Sequence, residues 1–359
     1  MNESHEYGPN DGGQSLVQYH YHYHYYHPEA DLPGRTKQAR EKGESTNPIK
    51  AALRSNANIV CGGLLILIAI SIVGYIIPDL IIRARMNPNQ YVQFRHVIEQ
   101  VVSMYSDAVS FIVALIVIKA WLKIPAKAAF PINRKDFSIT IPAIFICLGI
   151  NVLGGYAYGI ISAITDSVFG VVSGEPDFSL PVGTAAIVVY SVSMTVLPAV
   201  LEEILFRGVI MQSLRRFGDG FALMASSLLF GLFHGNFAQF IPAFLAGLAI
   251  GYFVLRTGSI FTGIIIHFVN NGSILLVSLI TNSGSEQLIR VTNIVVSILC
   301  LGLGVISAVF LLWRSRGIFQ LACPKLQVKR RKKYFAFFTS VAAIGFLLVT
   351  IAMTALYFV

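Results

Sequence analysis

Charge is scarce in this 359-residue chain: Asp, Glu, Lys and Arg make up 13% of it, against roughly a quarter in an ordinary soluble domain. With 55% hydrophobic residues, the shortage excludes both an ordinary soluble domain and a disordered chain. Acids are the scarcer sign, 18 against 27 Lys and Arg, for a formal net charge of +9. The excess is not a nucleic-acid patch, because the basic residues cluster in short loops between apolar runs. No nucleic-acid partner is expected. Cysteine is rare too. Cys61, Cys147, Cys300 and Cys323 are scattered, three of them in apolar runs, with no CxxC; they read as core residues and not as a disulfide framework. No cleavable signal peptide is visible, since the first 50 residues are polar.

What the chain does have is apolar length. Its mean hydropathy is +0.67, and the apolar residues fall in runs long enough to cross a hydrocarbon core about 30 Å thick. The expected fold is all-α: a polytopic transmembrane helical bundle of about nine spanning helices, preceded by a disordered polar tail. The segments lie near 57–82, 101–118, 137–164, 184–216, 220–236, 239–256, 259–281, 291–313 and 335–358. The expected organisation is a tail over 1–50, N-terminal spanning helices over 51–183, a core over 184–281 and C-terminal spanning helices over 282–359.

Charge asymmetry orients the chain. Lys119, Lys123, Lys127, Arg134 and Lys135 fill one connection, and Arg314 to Lys333 supplies another with no acid in it. The connection from Asp166 to Pro181 carries three acids and no Lys or Arg. The positive loops belong inside, which puts the N-terminus in the cytoplasm and the C-terminus outside, in what is expected to be a plasma membrane. Membrane lipids are therefore partners, and anionic headgroups suit the basic loops. The tail carries Tyr19-His20-Tyr21-His22-Tyr23-His24-Tyr25-Tyr26-His27. Alternating histidines can share a transition metal, but a low-complexity tail that binds metal incidentally is the plainer reading.

The informative residues are ionisable ones inside apolar segments, each costing roughly 2.5–3.5 kcal/mol at a helix centre. They concentrate in three groups: Glu202, Glu203 and Arg207; Phe230 and His234; His267 and Asn271. Glu203 and Arg207 are four apart and can pair on a helix, an arrangement expected to support the site without reacting. Glu202 faces about 100° away and needs another partner. His267 and Asn271 share a helix face. Phe217-Gly218-Asp219-Gly220 is a turn signal, and counting from it puts Glu202 and His234 at one depth, roughly 21 Å along their helices. Asn271 falls roughly 20 Å beyond the turn at Arg256-Thr257-Gly258, with His267 one turn lower. Pro198 precedes Glu202 by a turn and is expected to kink its helix.

A lone intramembrane histidine is often just an interhelical hydrogen bond. A glutamate, two histidines and an amide at one depth are general-base equipment with oxyanion donors. They describe peptide hydrolysis without a covalent intermediate. Ser226, Ser227 and Ser273 lack a GxSxG elbow. Glu202, His234 and His267 could instead hold Zn²⁺, though HExxH is absent. A proton-coupled transporter is disfavoured by the missing internal repeat.

The three groups resemble the CPBP intramembrane proteases, which include the CAAX prenyl endopeptidases and bacterial bacteriocin-processing or immunity proteins. The family pattern of EExxxR, FxxxH and HxxxN stands here as Glu202-Glu203 to Arg207, Phe230 to His234, and His267 to Asn271. The resemblance implies that Glu202 and His234 activate water, that His267 and Asn271 stabilise the oxyanion, and that Glu203, Arg207 and Phe230 support them. It implies a peptide or protein substrate, lipid-modified or a leader peptide, and leaves zinc open. A non-catalytic immunity or scaffold protein on the same fold is the alternative.

Overall fold

The computed structural model describes residues 48–132, 137–170, 180–282, 284–314, 318–319 and 330–357. The His/Tyr tail, Cys323 and most of the basic stretch before residue 330 lie outside the described residues. Ten principal helices follow in order: α1 (Pro48–Arg85), α2 (Pro88–Leu122), α3 (Phe137–Phe169), α4 (Thr184–Glu202), α5 (Asp219–Phe233), α6 (Phe237–Thr257), α7 (Ile260–Thr281), α8 (Glu286–Arg314), α9 (Arg330–Phe338) and α10 (Val341–Ala355). No strand is present among the described residues; one isolated bridge joins Ile132 to Ser259.

The class is the expected helical membrane bundle. Seven helices are long and apolar enough to cross a membrane, eight if the bent pair α9–α10 is one span. The remaining apolar segment, near 220–236, is the 15-residue α5, about 22 Å long and so shorter than a hydrocarbon core. It stops early because Gly235 takes a left-handed φ of 63°, and Asn236 then caps α6 by accepting from the Gln239 amide. Near 335–358 the chain bends by 75° between α9 and α10.

Lipid-facing surface is apolar, as the solvent requires: Ile298, Val305, Ile306 and Val309 stand exposed along α8. The interior is built by close approach. α1 and α2 pack as neighbours, α3 lies against α6 and α8, and α4 lies between α2 and α7. α5 and α6 meet through glycine, since a Cβ on Gly247 would sit 3.2 Å from Ser227 and Phe230. This packing brings α2, α4, α5 and α7 around one polar region.

Candidate active site

Expectation made 184–216 one spanning segment, kinked at Pro198. Instead α4 passes at Glu203 into a wide π-helical turn spanning Glu203–Ile210, closed by the Met211 amide bonding back to the Phe206 carbonyl. The wider turn aligns residues four apart more nearly than an α-turn does. Glu203 and Arg207 use that alignment. Glu203 Oε1 lies 2.7 Å from Arg207 Nη1, with both side chains buried to 1% exposure or less. Gly208 belongs to the same turn and has no room for a side chain, because a Cβ would sit 2.8 Å from the Ala129 carbonyl.

The same Glu203 Oε1 is 2.9 Å from His267 Nδ1 on α7. Across the ring, His267 Nε2 faces Glu202 Oε2 at 3.9 Å. The imidazole therefore stands between two carboxylates that are adjacent in sequence and differ in burial: Glu203 is closed off and Glu202 keeps 13% of its side chain exposed. Gly263, one turn before His267, leaves the space for Glu203, since a Cβ there would come 2.7 Å from Oε2.

His234 is the first residue past α5. Its Nδ1 is 2.9 Å from the Phe230 carbonyl. A carbonyl only accepts, so Nδ1 carries the hydrogen and donates; in the neutral ring Nε2 then keeps its lone pair. A helix end at this depth is tolerated where the backbone is buried in protein or lines a cavity, and half-buried His234 sits at that end. Phe230 holds the groups together. Arg207 lies over its ring at 4.2 Å from the centroid, and the His234 and His267 rings meet it edge-on at 5.0 and 6.0 Å. Phe206 packs edge-on from the wide turn at 5.1 Å.

Asn271 is half-buried. Its Nδ2 donates to the Met194 carbonyl of α4 at 3.0 Å, and its Oδ1 accepts from Asn270 Nδ2 at 3.2 Å. One Nδ2 hydrogen is thus spent on holding α7 to α4, and a second is left. The residues named from sequence therefore form two joined groups: Glu202, Glu203, Arg207 and His267 through charge and hydrogen bonds, and His234 to His267 through Phe230.

Sequence reasoning missed Asp107. It sits half-buried on α2 and accepts from Ser71 Oγ of α1 at 3.1 Å. Phe111, one turn along, meets Phe233 of α5 edge-on at 5.6 Å. The signal was available: a single acid in the apolar run 101–118.

Among the described residues no three His, Cys, Asp or Glu side chains are placed to share one metal. His267 Nδ1 faces Glu203 and His234 Nδ1 a carbonyl, so Nε2 is the atom of each ring open to a ligand bond.

Residues 184–273 match the family model described as type II CAAX prenyl endopeptidase Rce1-like. The match covers residues 184–273 of 359, is consistent with a CPBP-family CAAX protease, and contains every site residue named from sequence. No curated protein and no solved structure matches the chain.

Proposed function

We propose that this multi-pass membrane protein is an endopeptidase that hydrolyses a peptide bond of a membrane-associated substrate with water activated by Glu202 and His234. The observation that carries the reading is His267 between two glutamates, one buried and paired, the other partly open. A structural ion pair needs only Glu203 and Arg207. A second, accessible carboxylate at the far nitrogen is surplus to packing and is what hydrolysis requires.

In this mechanism Glu202 takes a proton from water, and the water oxygen attacks the scissile carbonyl carbon. His234 Nε2 accepts the other water hydrogen and aligns the attack. The oxyanion receives a hydrogen bond from the remaining Asn271 Nδ2–H and, when the His267 ring carries hydrogens on both nitrogens with Nδ1–H donating to Glu203, a second from His267 Nε2–H. The C–N bond then breaks as the proton held by Glu202 passes to the leaving nitrogen. Glu203 and Arg207 do not react; they fix the imidazole, and Phe230 fixes the spacing of both rings.

An apolar cavity of about 310 Å³ opens one turn from His234, between Gly231, Phe237, Phe240 and Ile351. It supports a substrate that brings an apolar segment or a lipid chain to the scissile bond, as a lipid-modified protein or a leader peptide does. The basic connections support a cytoplasmic N-terminus, and the proposed membrane is the plasma membrane. The test is cleavage of a peptide library by purified, detergent-solubilised protein, with Glu202→Gln as control. Cleavage lost in the variant supports the reading. Equal cleavage by both overturns it, and no cleavage by folded protein favours a non-catalytic immunity or scaffold role.

A further inference from the structure

Pro198 stands inside α4, one turn before Glu202. Proline has no backbone N–H, and its ring crowds the carbonyl four residues back. For Pro198 that carbonyl belongs to Met194. In a spanning helix a carbonyl deprived of its helical partner has to find a donor within the protein, because lipid offers none. Hydroxyls within α4 bond back to other carbonyls: Ser191 to Ile187, Ser193 to Val189 and Thr195 to Ser191, each four positions back. The Met194 carbonyl is served from another helix. Asn271 Nδ2 of α7 donates to it at 3.0 Å.

The orientation of the amide follows. A carbonyl only accepts, so the Asn271 atom facing Met194 is Nδ2, and Oδ1 is the atom that receives a donor. Asn270 Nδ2 supplies that donor at 3.2 Å. Asn270 is itself buried, and its backbone carbonyl accepts from Ser273 Oγ at 2.7 Å. The Asn271 amide is therefore held at both ends, which gives its second Nδ2 hydrogen a fixed direction. That hydrogen is the oxyanion donor of the proposed reaction. Direction matters there, because a donor stabilises an oxyanion most when it is aimed before the charge develops.

We infer that Pro198 is a positioning residue of the endopeptidase: it frees the Met194 carbonyl, so that α4 grips the Asn271 amide and aims its remaining N–H at the oxyanion. The inference rests on the endopeptidase reading. In that reading Asn271 touches the reacting atoms, and Pro198 acts only through it. An interhelical contact of convenience would use any nearby acceptor; the acceptor used here is the one that Pro198 releases.

Two experiments on the full chain in detergent test this. The first is thermal and needs no substrate. In wild-type protein Asn271→Ala leaves the Met194 carbonyl without a donor and is expected to lower the melting temperature by about 2–4 °C. In a Pro198→Ala background the restored amide of residue 198 takes that carbonyl, and Asn271→Ala is expected to cost about 1 °C or less. Equal losses in the two backgrounds overturn the inference. The second experiment measures cleavage of a peptide that the wild-type protein cuts. Pro198→Ala is expected to lower kcat by about tenfold with KM within about twofold, because the donor is misaimed and not lost. A lactate ester in place of Pro198, introduced by nonsense suppression, has neither the ring nor an N–H. It leaves the Met194 carbonyl free and is expected to restore most of kcat. An ester that behaves like alanine assigns the effect to the ring and overturns the inference, as does an unchanged kcat in Pro198→Ala. If the wild-type protein cleaves nothing, the endopeptidase reading fails by itself, and the melting cycle alone decides whether Pro198 commits Asn271 to Met194.

Discussion

One oxygen, Glu203 Oε1, serves two buried cations or donors at once: Arg207 Nη1 at 2.7 Å and His267 Nδ1 at 2.9 Å. The ion pair that stabilises the wide turn of α4 is therefore also the device that orients a ring on α7. Stability and site geometry are linked through a single carboxylate.

That link predicts a strong, non-additive effect. Glu203→Ala leaves Arg207 buried and uncompensated, a change that typically costs about 3–5 kcal/mol. Arg207→Ala leaves the carboxylate with only His267. Thermal unfolding in detergent should show both single variants well below wild type, and the double variant losing clearly less than their sum. Additive losses would mean that the two side chains do not depend on each other.

Gly263 gives a second handle on the same carboxylate. A Cβ there would come 2.7 Å from Glu203 Oε2 and 2.8 Å from a Val254 methyl. Gly263→Ala is expected to destabilise the fold by about 1–3 kcal/mol as an overpacking change, and to displace Glu203 from His267. Gly272→Ala is the control, because that position meets nothing within 4 Å. A melting temperature lowered by Gly263→Ala and unchanged by Gly272→Ala is the expected result.

Much of this was legible in the sequence because a lipid solvent makes it so. Apolar runs can only be helices, and polar residues inside them stand out against the cost of burial. Glu202, His234, His267 and Asn271 were visible for that reason. Local backbone irregularity was not. Nothing in Glu203–Ile210 distinguishes a π-turn from an α-turn by residue type, and α5 read as spanning because its apolar character continues past Gly235 into α6. Asp107 was passed over for a different reason. It is one acid in an apolar run, and only the packing of α2 against α4 connects it to Glu202. A count of acids inside the apolar runs that lack an arginine four residues away would have returned it together with Glu202.

Glu202 and Glu203 are expected to separate by phenotype. Glu202 is partly open and makes no ion pair with Lys or Arg, so Glu202→Gln should leave the melting temperature within a degree or two of wild type. Proteolysis should fall by roughly 100-fold or more, the usual scale for losing a general base. Glu203→Gln should lower both stability and activity. A Glu202→Gln protein that unfolds like Glu203→Gln would mean the carboxylate is structural.

The two histidines bear on metal dependence in the same way. A three-ligand zinc site needs His234 and His267 to point ring nitrogens at one centre together with a carboxylate. Among the described residues no three such side chains are grouped to share one metal, and both rings meet Phe230 edge-on; the Nδ1 bonds to Phe230 and Glu203 leave only Nε2 of each ring for a ligand. Proteolysis is therefore expected to survive prolonged dialysis against a chelator, with no stoichiometric zinc in the protein before treatment. Activity lost on chelation and restored by added Zn²⁺ would require the rings to rearrange about the metal. His234→Gln should abolish turnover in either case, so the chelation experiment and not the substitution separates the two chemistries.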